Sequence, residues 1–525
     1  MDTRRILIGA IAAVIVVGVA LAALDRGDDA DTSAGPIGST DTDNTGGARD
    51  GDDSSAPVSS PTPLPAPTPL PPLPPSDAWV NPASVGRPDS TVVAGSLTFR
   101  GSATRTWYGS GPVPTAPEVV WRFPAAESEM LCSMSTVGVT TSEWCGTGWT
   151  GQPAVFERDG RTWLVVGAFD GSVHFLDALT GERILADFET GDIIKGSVTI
   201  DPDGYPLVYV GSRDNHLRVI AFDRDEPTEL WSLAADAVAP TLWNDDWDGT
   251  PLVIDDHLFE GGENSQLHIV RLHRTYGADG LVTVDPELIF NAPGWDDQLL
   301  ADVGDENVSI ESSVAASGDT IYFANSGGLV QGWDIGPLRT GGVPERVFRF
   351  WTGDDTDATV VIDADGKLYV GSEYERFNAR ATTVGQFMQL DPARPEDPLV
   401  WSIPIQQPAP AGVWATAALH RDVVYVPTNE GFLHGIDRAT GEIRWTKKLQ
   451  GPTWSSPVVV DDVLLQADCE GLLHAYDVSD TTIDPPELWQ VRLDWCIEST
   501  PTVWRGRIYV GDRSGRIFAI ADPGS

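Results

Sequence analysis

The sequence predicts an all-β fold: an eight-bladed β-propeller of four-stranded antiparallel blades, set behind an N-terminal transmembrane helix and a disordered linker. Three observations predict it. The 525 residues include 53 Gly, 40 Pro and 19 Trp with few stretches of helical periodicity, a composition suited to short strands and many turns. A unit of three short strands and two turns recurs along the chain, as in "VVYVPTNEGFLHGIDRATGEIRWTKKL" at 423–449 with Asp437, Thr440, Gly441 and Trp445. Each unit is preceded by one more short strand, such as "SSPVVV" at 455–460, so a repeat has four strands, A to D. One such sheet cannot bury both faces, whereas stacking the sheets in a ring buries each against the next.

Residues 1–5 form a short tail with Arg4 and Arg5, and 6–24, "ILIGAIAAVIVVGVALAAL", is an uncharged apolar run of bilayer-spanning length. The arginines before it and the acidic residues after it place the N-terminus in the cytoplasm and the rest outside. A cleaved signal peptide ending at Ala20 and Ala22 is the competing reading, and the length of the run favours the anchor. Residues 25–77 are an acidic, then Pro-rich linker that cannot bury a core and serves as a spacer. A lead-in segment follows at 78–116, then the propeller at 117–525.

Blades begin near residues 152, 196, 238, 310, 358, 414, 454 and 498. The third is the most divergent, with "PLVIDDHLFEGGENSQLHIVRLHR" standing in for its strands B and C. The eighth stops at Asp522 without a last strand, while "PEVVWRF" at 117–123 reads as an orphan strand D. The N-terminal strand is therefore expected to complete the last blade and close the ring.

Repetition marks Asp437, Thr440, Gly441 and Trp445 as structural. An Asp side chain accepts from the amides of the turn it opens, Gly accepts positive φ, and the Trp packs on a neighbouring blade. His174, His434 and His474 recur three residues before the repeat Asp and read as packing residues rather than metal ligands. Asn244, Asp246, Asp248 and Gly249 match the start of a calcium loop, with Asp255 at the twelfth position, although the segment is expected in an A–B hairpin. An ordinary acidic turn is the competing reading.

The D–A and B–C connections emerge on one rim, which collects Trp144, Trp149, Trp414, Trp454 and Trp495 with Asp354, Asp355 and Asp494. That rim is the candidate binding surface. Cys132, Cys145, Cys469 and Cys496 fall on it too. An even number of cysteines outside the membrane, without C-x-x-C spacing, points to two structural disulfides, and the B–C turn of one blade neighbours its exit toward the next, which brings Cys469 near Cys496.

The D-x-x-T-G-x-x-x-W pattern from Asp437 to Trp445 resembles the quinoprotein-type repeat of the pyrroloquinoline-quinone-like propeller family, which includes BamB-type scaffolds. The resemblance covers roughly 117–525. It implies either a binding scaffold or a quinone-dependent dehydrogenase of alcohols or sugars. The enzyme would require an adjacent-cysteine clamp, an aromatic floor and a carboxylate and amide set around calcium. The sequence has no adjacent cysteines and no G-x-S-x-G, H-E-x-x-H or phosphate-cradling glycine loop. A formal net charge of −43 excludes nucleic acid as a partner. The expectation is a membrane-anchored, extracytoplasmic scaffold binding a protein, peptide or glycan at the bacterial cell envelope. It is expected to work without cofactor, with calcium and pyrroloquinoline quinone as the alternatives. No lipobox cysteine follows the apolar run, so outer-membrane assembly is not implied.

Overall fold

A computed structural model describes residues 71–137, 140–149 and 151–524. The expected cytoplasmic tail at 1–5, the expected membrane helix at 6–24 and most of the expected linker lie outside the described residues. Among the described residues no helix is long and apolar enough to cross a membrane. The compact unit formed by Leu64–Ser135 and Ser142–Ser525 is a ring of eight sheets.

Blade 2 shows how the sequence builds each sheet. Its strands Thr199–Ile200, Leu207–Ser212, His216–Ala221 and Thr228–Ala234 pair in order, antiparallel. Alternate residues point to opposite faces. Val208, Val210 and Ile220 accordingly pack with Val165 and Phe175 of blade 1, while Tyr209, Leu217 and Val219 pack with Val253, Leu258 and Val270 of blade 3. The core is thus a series of apolar layers between sheets, which is why the inner strands are apolar on both faces.

The inner strands begin at Ala154, Thr199, Leu252, Ala315, Val361, Ala418, Val458 and Thr502. Seven of the expected starts fall close to these. The third moves from 238 to 252 because "PLVIDDHLFEGGENSQLHIVRLHR" supplies strands A, B and C, at Leu252–Ile254, His257–Gly261 and Gln266–Arg271. Residues 238–251 therefore form the connection entering blade 3, not an A–B hairpin.

Glu118–Phe123 pairs antiparallel with Arg516–Ala521 as the outer strand of blade 8, so the N-terminal strand closes the ring as expected. The Asp522 carboxylate accepts from the amides of Thr115 at 2.9 Å and Ala116 at 2.6 Å. The last repeat Asp thus anchors the incoming N-terminal segment instead of its own turn.

The lead-in runs inside the ring. Gly95–Ser96 adds to the inner edge of blade 1, and Gly109–Ser110 runs parallel to the inner strand of blade 8. Between them, the carbonyls of Leu97, Ala103 and Thr104 accept from Ile200, Ala316 and Ile362 of blades 2, 4 and 5. Arg100 and Arg105 are fully buried here. Arg100 donates to the carbonyls of Ala417 at 2.7 Å and Pro457 at 3.0 Å, and Arg105 to that of Val314 at 3.0 Å. Two guanidiniums thereby hold a plug to the entrances of blades 4, 6 and 7. Burial lowers both, and Arg105, helped by Asp89, still sits at about 10.

Candidate functional site

Register alignment of the blades defines a mouth above this plug. The leading inner-strand pairs are equivalent throughout: Thr199 with Tyr209, Leu252 with Phe259, Ala315 with Tyr322, Val361 with Tyr369, and so on around the ring. Four residues ahead of each inner strand, blades 2 to 8 place Lys195, Asp248, Glu311, Asp357, Trp414, Trp454 and Glu498. The same position in successive blades faces the same region, so these side chains ring the mouth. One arc is carboxylate and another is tryptophan.

Trp149, on the connection entering blade 1, meets Trp414 of blade 6 with ring centroids 5.3 Å apart, and Trp414 meets Trp454 of blade 7 at 5.8 Å. The aromatic arc therefore bridges blades that are not neighbours. Trp144 stands outside this group, edge-on to Phe169 with the Arg513 guanidinium over its ring. Trp495 is 60% exposed, and the exposed Asp494 lies 3.4 Å from Arg516.

On the acidic arc, Asp246, Asp248 and Glu263 place one oxygen each within 4.8 Å of the others. The Lys195 ammonium reaches all three, at 3.0, 2.6 and 3.0 Å, and Arg213 reaches Asp246 at 3.3 Å. Burial by itself depresses an ammonium, yet these carboxylates hold Lys195 well above its usual range, so it stays charged. Asn244 donates its amide to Glu263 at 2.5 Å. The linear calcium loop is not closed here: Asp255 sits in the A–B turn of blade 3, and the third carboxylate comes from Glu263, fifteen residues after Asp248.

A second triad repeats these positions two blades on. Asp355, Asp357 and Glu373 stand where Asp246, Asp248 and Glu263 stand, again with oxygens within 4.8 Å. Asp354 and Asp355 are buried rather than displayed on the rim, at 0% and 7% exposure. The Asp354 carboxylate accepts from the amides of Asp355 and Arg376 and so shapes the loop. Burial raises Asp355 to about 7 despite Arg376, whose guanidinium lies 3.8 Å away. Burial, and next the Glu263 charge, raises Glu311 to about 8.

Lys195, Glu263, Glu311 and Glu373 escape a motif search because each comes from a different connection, far apart in sequence. Aligning the blades by inner-strand register recovers them. The disulfides form as Cys132–Cys145 and Cys469–Cys496, the second tying the B–C turn of blade 7 to the connection entering blade 8.

The sequence profile described as "Outer membrane protein assembly factor BamB" matches residues 389–521. The protein of that name from Yersinia pestis is 31% identical over 102 residues, which is 18% of this chain and 25% of that protein. The chain thus spans a quarter of the length of this curated relative. Among solved structures, a europium-containing methanol dehydrogenase aligns with a TM-score of 0.54 at 12% identity, covering 82% of this chain and 98% of that one. A quinohemoprotein alcohol dehydrogenase from Pseudomonas putida HK5 gives the same TM-score and identity, covering 82% and 81%. At that identity the two structures establish the shared fold alone. Residues 389–521 thus match a BamB-type repeat model, and the ring as a whole shares the β-propeller fold of the two dehydrogenases.

Proposed function

We propose that the protein is a membrane-anchored, extracytoplasmic propeller that binds an envelope protein, peptide or glycan on its mouth-side rim and works as a scaffold. The observation that carries this reading is the Trp149, Trp414 and Trp454 contact across the mouth, above a channel already occupied by the lead-in. Trp454 and the exposed Trp495 offer flat apolar faces suited to protein anchors or sugar rings. The surrounding carboxylates favour basic partners.

The alternative is a quinone-dependent dehydrogenase of alcohols or sugars, since the two similar solved structures are a methanol dehydrogenase and a quinohemoprotein alcohol dehydrogenase. The donor set fits it poorly. Neither disulfide joins adjacent cysteines.

The test uses the full chain in its membrane. A photoreactive side chain in place of Trp495 is expected to give discrete envelope adducts, whereas one in place of Tyr276, in the C–D insertion of blade 3 on the opposite rim, gives none. A stoichiometric quinone chromophore with alcohol- or sugar-dependent dye reduction, after adding the quinone with calcium, overturns the scaffold reading.

A further inference from the structure

The two equivalent carboxylate triads differ in one respect. In blade 3 the centre is held by the Lys195 ammonium, 2.6 to 3.0 Å from each carboxylate. In blade 5, among the described residues, the cation paired with the triad is Arg376, 3.8 Å from Asp355 and engaged with Asp305 at 3.2 Å. Asp355 and Asp357 lie within hydrogen-bonding reach of each other, and neither carboxylate brings a donor when ionised. Such a contact requires either a trapped proton or a cation between the oxygens. Asp355 Oδ1 is buried and no donor reaches it, although its residue is only 7% exposed. Ser326 donates to Asp357 at 3.1 Å and Asn429 to Glu373 at 3.0 Å, which fixes two of the three carboxylates from outside and leaves their remaining oxygens for the centre.

We propose that Asp355, Asp357 and Glu373 form a binding site for one calcium ion, which takes in blade 5 the place that Lys195 takes in blade 3. Clustered carboxylate oxygens suit a hard divalent cation, and several ligands without imposed octahedral geometry favour calcium over magnesium. The site belongs to the wall of the propeller and needs no second ligand in the channel. Its role is to neutralise a mouth that otherwise packs like charges together and to fix the loop at 352–357 against the strand ending at Gly371. The blade 3 triad, with its own internal cation, needs no ion.

The test uses the full chain in detergent, stripped with a chelator and titrated with calcium chloride. One calcium per chain is expected to bind and to raise the Tm. Asp357→Asn and Glu373→Gln should each weaken binding at least about tenfold, the expected loss when a charged ligand oxygen is removed. Both should melt above the parent in chelator, because each relieves a like-charge contact. Asp246→Asn should keep calcium binding. Terbium supplies a second measurement on the unaltered chain: emission sensitised by tryptophan should appear, calcium should quench it, and Trp414→Phe should reduce it, since the Trp414 amide donates to Asn429 beside Glu373. Absence of calcium binding and of displaceable terbium emission overturns the proposal. So does calcium binding that survives Asp357→Asn with Glu373→Gln, or that is lost in Asp246→Asn.

Discussion

Asp437 holds its turn by accepting from the amides of Ala439 and Thr440, both at 2.9 Å, and from the Thr440 hydroxyl at 3.0 Å. Gly441 has φ of 75°, and an added Cβ would lie 2.7 Å from the Trp401 indole of blade 5, whose Nε1 donates to the Arg438 carbonyl at 3.0 Å. Trp121 of blade 8 makes the same contact on blade 1, donating to Ala178 and covering Gly181. The glycine thus serves both its own backbone and the preceding blade's tryptophan. Gly441→Ala is expected to cost at least about 1 kcal/mol from the φ alone and more from overpacking, read as a lower denaturant midpoint. His174 is the other residue with a measurable signature. It is buried between Asp170 at 3.2 Å and Asp187 at 3.0 Å. Burial opposes its protonation, but the two carboxylates raise it to about 9. Because the folded value exceeds the unfolded one of about 6.5, its contribution is complete below that pH and is lost as pH rises through about 9. The stability gap between the parent and His174→Gln should therefore narrow between pH 7 and 10, by up to about 3 kcal/mol. The sequence marks this histidine as a packing residue because its strand face is apolar. Its ion pairs were not legible, since Asp187 comes from beyond the next turn.

Within a blade, local signals were enough: strand period, turn residues and the repeat Asp locate seven of the eight inner strands. Blade 3 defeats them because its acidic entry loop ends in Asp-Gly-Thr-Pro, which reads like a hairpin, and its real A–B turn is only Asp255–Asp256. The mouth was less legible than the blades. Its residues form a pattern only once strands are in register, and Glu263 and Glu373 sit on connections other than those carrying Asp248 and Asp357. The Cys469–Cys496 link was readable because blade geometry brings a B–C turn beside the next entry. It closes 27 residues of chain, for which loop entropy gives a stabilisation of roughly 3.5 kcal/mol. Replacing both cysteines with serine should lower the Tm and abolish its response to reductant at this bridge. Partially folded chains would then expose the junction of blades 7 and 8 to protease first.

The ring as a whole depends on a strand taken from its beginning. Arg516–Ala521 pairs on one side with Arg507–Asp512 and on the other with Glu118–Phe123, and the Phe123 ring then packs 5.1 Å from His174 of blade 1. Removing residues 516–525 should therefore damage more than blade 8: cooperative unfolding is expected to give way to a broad transition, measurable by calorimetry. A peptide spanning 116–124, by contrast, should compete poorly with the tethered strand. Closure was legible from the missing last strand, whereas the plug was not, because 95–110 lacks the repeat and its anchors are carbonyls on other blades. Closure also sets an order of events during synthesis. Residues 118–123 leave the ribosome about 400 residues before their partner strand at 516–521, so the intervening blades are made while a strand with Val119, Val120 and Trp121 waits unpaired. An edge left open until strand 516–521 arrives is the kind of surface that a chaperone holding extended segments protects.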